Sequence, residues 1–457
     1  MIDPGAPRYR ADVVVLGAGP GGERVASDLA RAGCSVIVVE RRLVGGACPY
    51  VSCIPTKSML VSAARGLPWA EAVARRDRHA AYRNDAVAAA QLIATGVQLL
   101  RGTGRVLRPG LLEVRSGRRA SIVAYTDLVV ATGSASGRPD IPGLADVPTW
   151  VSAEAMSSDI RPDSLAILGG GAAGCELAQL YARFGSQVTL VEPASRLLPE
   201  EPPFVGELVA DALVADGVDV RTATTIVRVE PTEKGADAHL AAGPPVGVER
   251  VVVATGRVPR TAALGLDQLG VELDDGDRLR IDDRCAVAEH LWAIGDATDV
   301  LRYRHTATQQ ALVVASALLG GDLQLRPAAL PRTVMTDPAV FGVGVRPGPG
   351  VRVEVASADL RGTARGYLDR RGGRVELYAD PGTATLVGGI GVGPRADEWM
   401  GQVLLAVTAS VPLPVLAGTV QAFPSYAEAL YPAVVELLRR CAGSRGMPEP
   451  RDAGAAG

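Results

Sequence analysis

The stretch "ADVVVLGAGPGGERVASDLARAGCSVIVVER", Ala11 to Arg41, decides the fold. Val13 to Leu16 is a β-branched run of the kind buried in a parallel sheet. Gly17, Gly19 and Gly22 follow as G-x-G-x-x-G, Ala26 to Ala30 keep helical spacing, and Ser35 to Val39 form a second strand ending at Glu40. In such a turn the first glycine makes the tight bend and the second lets backbone approach a pyrophosphate. The third lets the helix pack close to the strand, and the helix N-terminus faces the phosphates. Glu40 stands at the distance where an acid binds a ribose hydroxyl pair. The stretch therefore reads as one dinucleotide-binding unit.

The unit occurs again about 150 residues later in "SLAILGGGAAGCELAQLYARFGSQVTLVEPASRLLP". A strand reaches Leu168, Gly169, Gly171 and Gly174 repeat the glycine pattern, and the second strand ends at Glu192. Two units mean two dinucleotides. Glu192 has no basic residue beside it, which favours NADH over NADPH because a carboxylate repels a 2′-phosphate; Arg196, four residues on, works against that preference. Two further strands end alike, in "YTDLVVATGSASGRP" and "ERVVVATGRVPRT". "HLWAIGDATD" reads as a strand ending in Gly295-Asp296, where an acid accepts from a cofactor hydroxyl. After it, "RHTATQQALVVASALLG" predicts a helix from near Thr306, its positive end offered to an electron-rich ring.

The wider composition narrows the class. At 457 residues the chain exceeds one small core, and two to four domains are expected. A net charge of −3 gives no electrostatic case for nucleic acid or an anionic membrane. The N-terminus lacks an apolar leader, and no run of about 18 apolar residues occurs, so a cytoplasmic protein without stable structural disulfides is expected. Beyond about residue 328 the texture becomes antiparallel strands with connecting helices, and the tail "GSRGMPEPRDAGAAG" has the composition of a disordered segment. His79, His239 and His290 show no metal-ligand spacing. Cys34, Cys175, Cys285 and Cys441 stand singly and read as small buried hydrophobes. The other two cysteines are close together, in "GGACPYVSCIPTK" from Gly45 to Lys57.

Two dinucleotide units, paired A-T-G strands, "AIGDAT" and G-G-x-C-x4-C-x-P-x-K, in this order, resemble the class I pyridine nucleotide-disulfide oxidoreductases, the family of lipoamide dehydrogenase, glutathione reductase and mercuric reductase. The likeness spans roughly residues 11 to 440. It implies an α/β fold with two Rossmann-like domains, for FAD and NAD, and a C-terminal α+β dimerisation domain. The expected boundaries are 1–150 with 286–328 for FAD, 151–285 for NAD(P), and 329–457 for the homodimer interface. Electrons would pass from nicotinamide to flavin to a cysteine pair. Cys53 would lie against the flavin as the charge-donating thiolate, and Cys48 would be the exposed outer thiol that attacks substrate. Lys57, one of only two lysines in the chain, would sit beside the flavin and pair with Glu176 on the second dinucleotide helix.

FAD is expected at Gly17, Gly19, Pro20, Gly21, Gly22, Glu40, Arg41, Gly46, Ala47, Lys57, Gly104, Ala131, Thr132, Gly133, Gly295, Asp296, His305 and Ala307. NAD(H), or less favourably NADP(H), is expected at Gly169, Gly171, Ala172, Ala173, Gly174, Glu176, Glu192, Ile226, Gly256 and Arg257.

The departure lies at the other end. Disulfide reductases of this family carry a C-terminal H-P-x-x-x-E whose histidine serves as acid and base at the partner subunit's cysteines. Here the stretch is "AFPSYAE", with Phe423 in the histidine's place and Pro424 and Glu428 kept. A phenyl ring moves no proton. Mercuric reductase also lacks the histidine but ends in a cysteine pair, whereas this chain has Cys441 alone. Tyr426 and Tyr431 read first as interface residues, with Tyr426 the alternative proton donor and Glu428 the retained acid; Phe423 and Tyr426 would shape a more apolar substrate pocket. His305 reads first as a loop or cap residue near the flavin edge. Four functions follow: reduction of a small disulfide, thiol-type or soft-metal substrate; quinone reduction in the manner of a diaphorase; a specialised-metabolism oxidase or dehydrogenase; and a redox-sensing flavoprotein, which the intact Cys48, Cys53, Lys57 and Glu176 set argues against.

Overall fold

A computed structural model describes residues 6–442, so the expected tail, 443–457, lies outside the described residues. The chain divides into two compact units, Met1–Leu197 with Leu213–Pro327 and Leu198–Ala212 with Ala328–Gly457.

The first unit opens with strand β1, Tyr9–Leu16, whose last four residues are all buried. Helix α1, Pro20–Arg31, starts with proline in its first turn, where a missing N–H costs nothing. Strand β2, Val36–Glu40, is buried throughout. Two short segments follow, helix α2, Ala47–Val51, and helix α3, Cys53–Ala64. The long strand β3, Arg119–Val130, lies parallel to β1 on the side away from β2. The sheet carries eight strands, and its parallel centre brings the C-terminal ends of β1, β2 and β3 to one edge, where glycine turns and acids collect.

A second parallel sheet of five strands is built around β4, Ser164–Leu168, followed by helix α4, Ala172–Arg183, and strand β5, Gln187–Val191. Strand β6, Arg250–Val253, completes its centre. The chain then returns to the first sheet through strand β7, Leu291–Ala293, parallel to β3, and ends the unit's layers with helix α5, Arg304–Leu318, packed against α1. Both sheets match the expected Rossmann-like layers.

The second unit is a five-stranded antiparallel sheet of residues 332–393 with helices on its apolar face. Leu198–Ala212, which falls inside the expected NAD(P) boundaries, packs here. Arg332 Nε donates to Glu201 Oε1 at 2.7 Å, and the Arg374 guanidinium lies 4.8 Å from the Phe204 ring centroid. Among the described residues no helix is long and apolar enough to cross a membrane.

Two expectations are corrected. Cys34 and Cys441 are only partly buried, since one follows a helix end and the other sits in the last helix turn; Cys175 and Cys285 are core residues. Gly295-Asp296 does not end a strand. β7 stops at Ala293, and Gly295–Ala297 form a 3-10 turn.

Candidate active site

The glycine turns explain themselves sterically. Gly17 has φ +103°, a conformation side chains avoid, and a Cβ on Gly22 would meet the Gly17 carbonyl oxygen at 2.0 Å. The second turn repeats this, with Gly169 at φ +110° and a Gly174 Cβ at 1.8 Å from Gly169 O. Around Gly19, Gly133, Gly171 and Gly256 a Cβ would meet nothing within 4 Å, so these faces are open.

Both acids are fixed by backbone donors. Ala18 N donates to Glu40 Oε2 at 2.8 Å and Arg42 N to Oε1 at 2.6 Å. Gly170 N donates to Glu192 Oε2 at 2.6 Å and Ala194 N to Oε1 at 2.8 Å. Each carboxylate is buried and held facing its turn.

A cavity of about 610 Å³ runs along the first turn. Of the residues expected at FAD, it is lined by Gly17, Gly19, Pro20, Gly21, Gly22, Glu40, Gly46, Ala47, Ala131, Thr132, Gly133, Gly295, Asp296 and Ala307. Arg41, Lys57, Gly104 and His305 are not among its lining. Gly104 lies on the strand Thr103–Arg108, where a Cβ would meet Leu16 Cδ2 at 2.5 Å, so it serves strand packing. His305 is the second residue of α5, which begins at Arg304 rather than Thr306, and its ring stacks on Tyr303 at 5.1 Å. Arg257, expected at the nicotinamide cofactor, lines this cavity instead. Its Nε donates to Ser134 Oγ at 2.6 Å and to Asp296 Oδ2 at 3.1 Å. Ile226 is buried in the apolar cluster of the second sheet.

The sequence reading missed Ser134, Arg260, Arg302 and Arg304, which also line the cavity. No motif announces them, because they come from a short strand, separate loops and a helix start. Burial first, then Arg41, Arg257 and Arg42, hold the Arg260 guanidinium below its usual range, which marks a group of cations with few anions among them. The Thr132 hydroxyl is buried on the cavity wall without a partner among the described residues. An open glycine cradle, clustered guanidinium groups and an unanswered hydroxyl fit a diphosphate-bearing dinucleotide such as FAD.

The cysteines stand on the same cavity. Cys48 lies in α2, and Cys53 is the first residue of α3, where the helix dipole favours a thiolate. The hydrogen bond from the Cys48 thiol, aided by Ser52 and Lys57, pulls Cys53 below the ordinary thiol range against its own burial. Cys48 is pushed up, by that same hydrogen bond and by burial. The shared hydrogen bond thus favours the proton on Cys48 and the negative charge on Cys53. The expectation of an exposed Cys48 is corrected: it is 8% exposed, because α2 folds it inward, while Cys53 is half-buried. One turn along α3, Lys57 Nζ lies 2.5 Å from Glu176 Oε2 on α4, joining the two dinucleotide units behind the thiols.

In the second unit, Phe423 is 79% exposed and Tyr431 is also exposed. Tyr426 is buried in its own core, and its hydroxyl donates to Asp369 Oδ2 at 2.9 Å; burial and that carboxylate raise its pKa. Glu428 accepts from Ser425 N at 2.6 Å, capping the 3-10 turn Tyr426–Ala429 from within.

Residues 11–311 match the family described as pyridine nucleotide-disulphide oxidoreductase, and residues 330–434 match the dimerisation domain of that family. A dihydrolipoyl dehydrogenase of Thermus scotoductus is 32% identical over 94% of this chain and 98% of its own length. A mercuric reductase of Shigella flexneri is 30% identical over 94% of this chain and 82% of its own length. Among solved structures, LpdA from Mycobacterium tuberculosis superposes with a TM-score of 0.83 at 26% identity, covering 94% of this chain and 99% of that one. The HOCl-induced flavoprotein disulfide reductase RclA from Escherichia coli, in a Cu(II) complex, shares the fold with a TM-score of 0.84 at 24% identity, covering 94% and 99%. With matches running through both nucleotide units and the antiparallel unit, the chain belongs to the pyridine nucleotide-disulfide oxidoreductases, enzymes that use FAD and NAD(P)H.

Proposed function

We propose that this enzyme takes hydride from NADH, stores two electrons as the Cys48–Cys53 dithiol, and delivers them to a small thiol-reactive acceptor, a disulfide or a soft metal ion. The observation that carries the reading is the presence of both cysteines on the wall of the dinucleotide cavity, with the Lys57–Glu176 pair behind them. Bound FAD supplies the two-electron relay between nicotinamide and dithiol. Gly17, Gly19, Gly22 and Glu40 would hold its diphosphate and ribose, with Asp296 and Thr132 lining the same cavity. Glu192, pinned by Gly170 and Ala194, would take the adenine ribose of NADH.

For a disulfide acceptor the electrons balance within the chain. Cys48 gives up its proton to solvent and its sulfur attacks one acceptor sulfur, forming a mixed disulfide and expelling the first thiolate. Cys53 then attacks the Cys48 sulfur, which closes the Cys48–Cys53 disulfide and releases the second thiolate. Both leaving thiolates take protons from solvent. The antiparallel unit would pair two copies of the chain, its exposed Phe423 and Tyr431 lying on an outward face.

A quinone acceptor is the second reading, favoured because Phe423 offers no proton and the Tyr426 hydroxyl is engaged by Asp369. Anaerobic titration of the holoenzyme with NADH separates the two. Uptake of two NADH equivalents by the time the flavin is fully bleached, one for the disulfide and one for the flavin, followed by reoxidation with a disulfide or mercuric ion, supports the dithiol reading. Uptake of a single equivalent, with reoxidation by quinone alone, would replace it with the second.

A further inference from the structure

The wall that carries the dithiol also carries a cation that the chemistry above does not use. Arg304 is the first residue of α5 and lines the cavity with Cys48 and Cys53. Among the described residues its guanidinium makes no hydrogen bond or ion pair; only its backbone carbonyl is engaged, by Thr308 Oγ1 at 3.1 Å. The other cations of this cavity have duties. Arg257 is 3.1 Å from Asp296, Arg138 is 3.6 Å from Glu154, and Arg302 donates to the Arg257 carbonyl at 2.8 Å. Arg42 and Arg260 belong to the group gathered near Glu40. Lys57, the other cation acting on Cys48, is closed on Glu176.

Arg304 acts electrostatically on two groups, the Cys48 thiol and the Glu23 carboxyl of α1. Burial pushes Glu23 up to about 7, so at neutral pH it carries only part of a charge and cancels the guanidinium only in part. A partly cancelled guanidinium in a walled cavity draws anions, and its planar fork suits a carboxylate.

Building on the dithiol reading, we propose that Arg304 determines specificity at Cys48, drawing in acceptors that carry a negative charge beside the reacting atom, carboxylate-bearing small disulfides above all. A neutral acceptor would gain nothing from this residue. The selection is electrostatic, so lysine should replace arginine better than glutamine does.

The test compares alkylation of Cys48 by iodoacetate and iodoacetamide in NADH-reduced holoenzyme, followed by peptide mass spectrometry. Both reagents consume the thiolate, so the ratio of their rates removes the thiolate fraction and reports the local field. Arg304→Gln should lower the iodoacetate-to-iodoacetamide ratio by about 5–10-fold, and Arg304→Lys should keep most of it. In parallel, the ratio of kcat/KM for anionic dithiobis(nitrobenzoate) over neutral dithiodipyridine should fall about fivefold in Arg304→Gln, chiefly through KM. An unchanged alkylation ratio at a reactive Cys48 overturns the proposal and assigns Arg304 to the cofactor diphosphate. A Cys48 that stays unalkylated in both proteins after NADH reduction would sink the dithiol reading itself.

Discussion

Glu40 and Glu192 are held in the same way, each by the N–H just past the first glycine of its turn and by another two residues beyond the acid. Gly17 and Gly169 share a left-handed backbone, and Gly22 and Gly174 press on the same carbonyl of their own turns. Yet the two units are surrounded differently. Past Glu40 the chain runs through Arg41 and Arg42 into α2 and α3, setting both cysteines on the first unit's cavity. Past Glu192 come Pro193 and Ala194, and the second glycine turn lines no part of that cavity. The second glycine turn's helix contributes one buried side chain to the dithiol's surroundings, Glu176, reaching Lys57. One backbone solution to phosphate binding thus serves two purposes. On the function proposed above, the walled, cation-rich unit keeps its dinucleotide and the other exchanges it.

That contrast breaks most visibly at the third glycines. Gly22→Ala should yield colourless protein, because its Cβ cannot coexist with the Gly17 carbonyl at 2.0 Å. Gly174→Ala should stay yellow and lose NADH-driven reduction by on the order of 100-fold, the scale of an ångström's misplacement. Flavin content by absorbance and stopped-flow reduction give both numbers. A colourless Gly174→Ala would mean that the two units are not separable.

The next effect concerns the thiols alone. Two-electron reduction should produce a long-wavelength band from the Cys53 thiolate beside oxidised flavin. Cys53→Ser should abolish it and Cys48→Ser should keep it. The pH dependence has a definite sign. Cys53 is held below the ordinary thiol range, so the band persists as pH falls through the usual thiol pKa of about 8.5 and is lost only on reaching the lower folded value. If both serine variants retain the band, the inner and outer roles are misassigned.

Cofactor choice is the third and smaller effect. A carboxylate facing a 2′-phosphate costs on the order of 1–3 kcal/mol, so NADH should outpace NADPH by about 5–150-fold. Equal rates in stopped-flow reduction would remove Glu192 as the selector and point to Arg196.

These expectations rest on features of unequal visibility. The paired parallel sheets could be read from the chain because a glycine turn between buried strands is local: Gly17 to Gly22 and the strands beside them lie within one stretch. So was the neighbourhood of Cys48 and Cys53. The burial of Cys48 was not, since it depends on how α2 folds against the cavity. Arg257 was read with the second unit from its A-T-G-R context, yet its guanidinium reaches Ser134 and Asp296 in the first. Arg304 has no motif around it, and only the packing of α5 against α1 sets it on the cavity wall that also carries Cys48. Long-range placement of single charges leaves no local pattern to find.

Phe423 is the sharpest test of what the antiparallel unit contributes. In "AFPSYAE" the aromatic ring is exposed, and the retained Glu428 caps its own turn through Ser425 N instead of orienting a histidine. Tyr426 offers no ready substitute. Its hydroxyl is committed to Asp369, and its raised pKa makes it a weaker acid than an ordinary tyrosine. Leaving thiolates should therefore find their protons in water, which should slow disulfide turnover and spare acceptors reduced directly from the flavin, where no thiol is protonated. Phe423→His should raise kcat for a small disulfide by about tenfold, toward the 10²–10⁴ that general acid–base catalysis is worth when fully positioned. The gain stays at the low end because Glu428 must first be drawn off its cap. Quinone turnover should be the same in wild type and Phe423→His. Wild-type disulfide turnover already as fast as the histidine variant would show that this enzyme protonates its leaving group by a route that does not pass through residue 423.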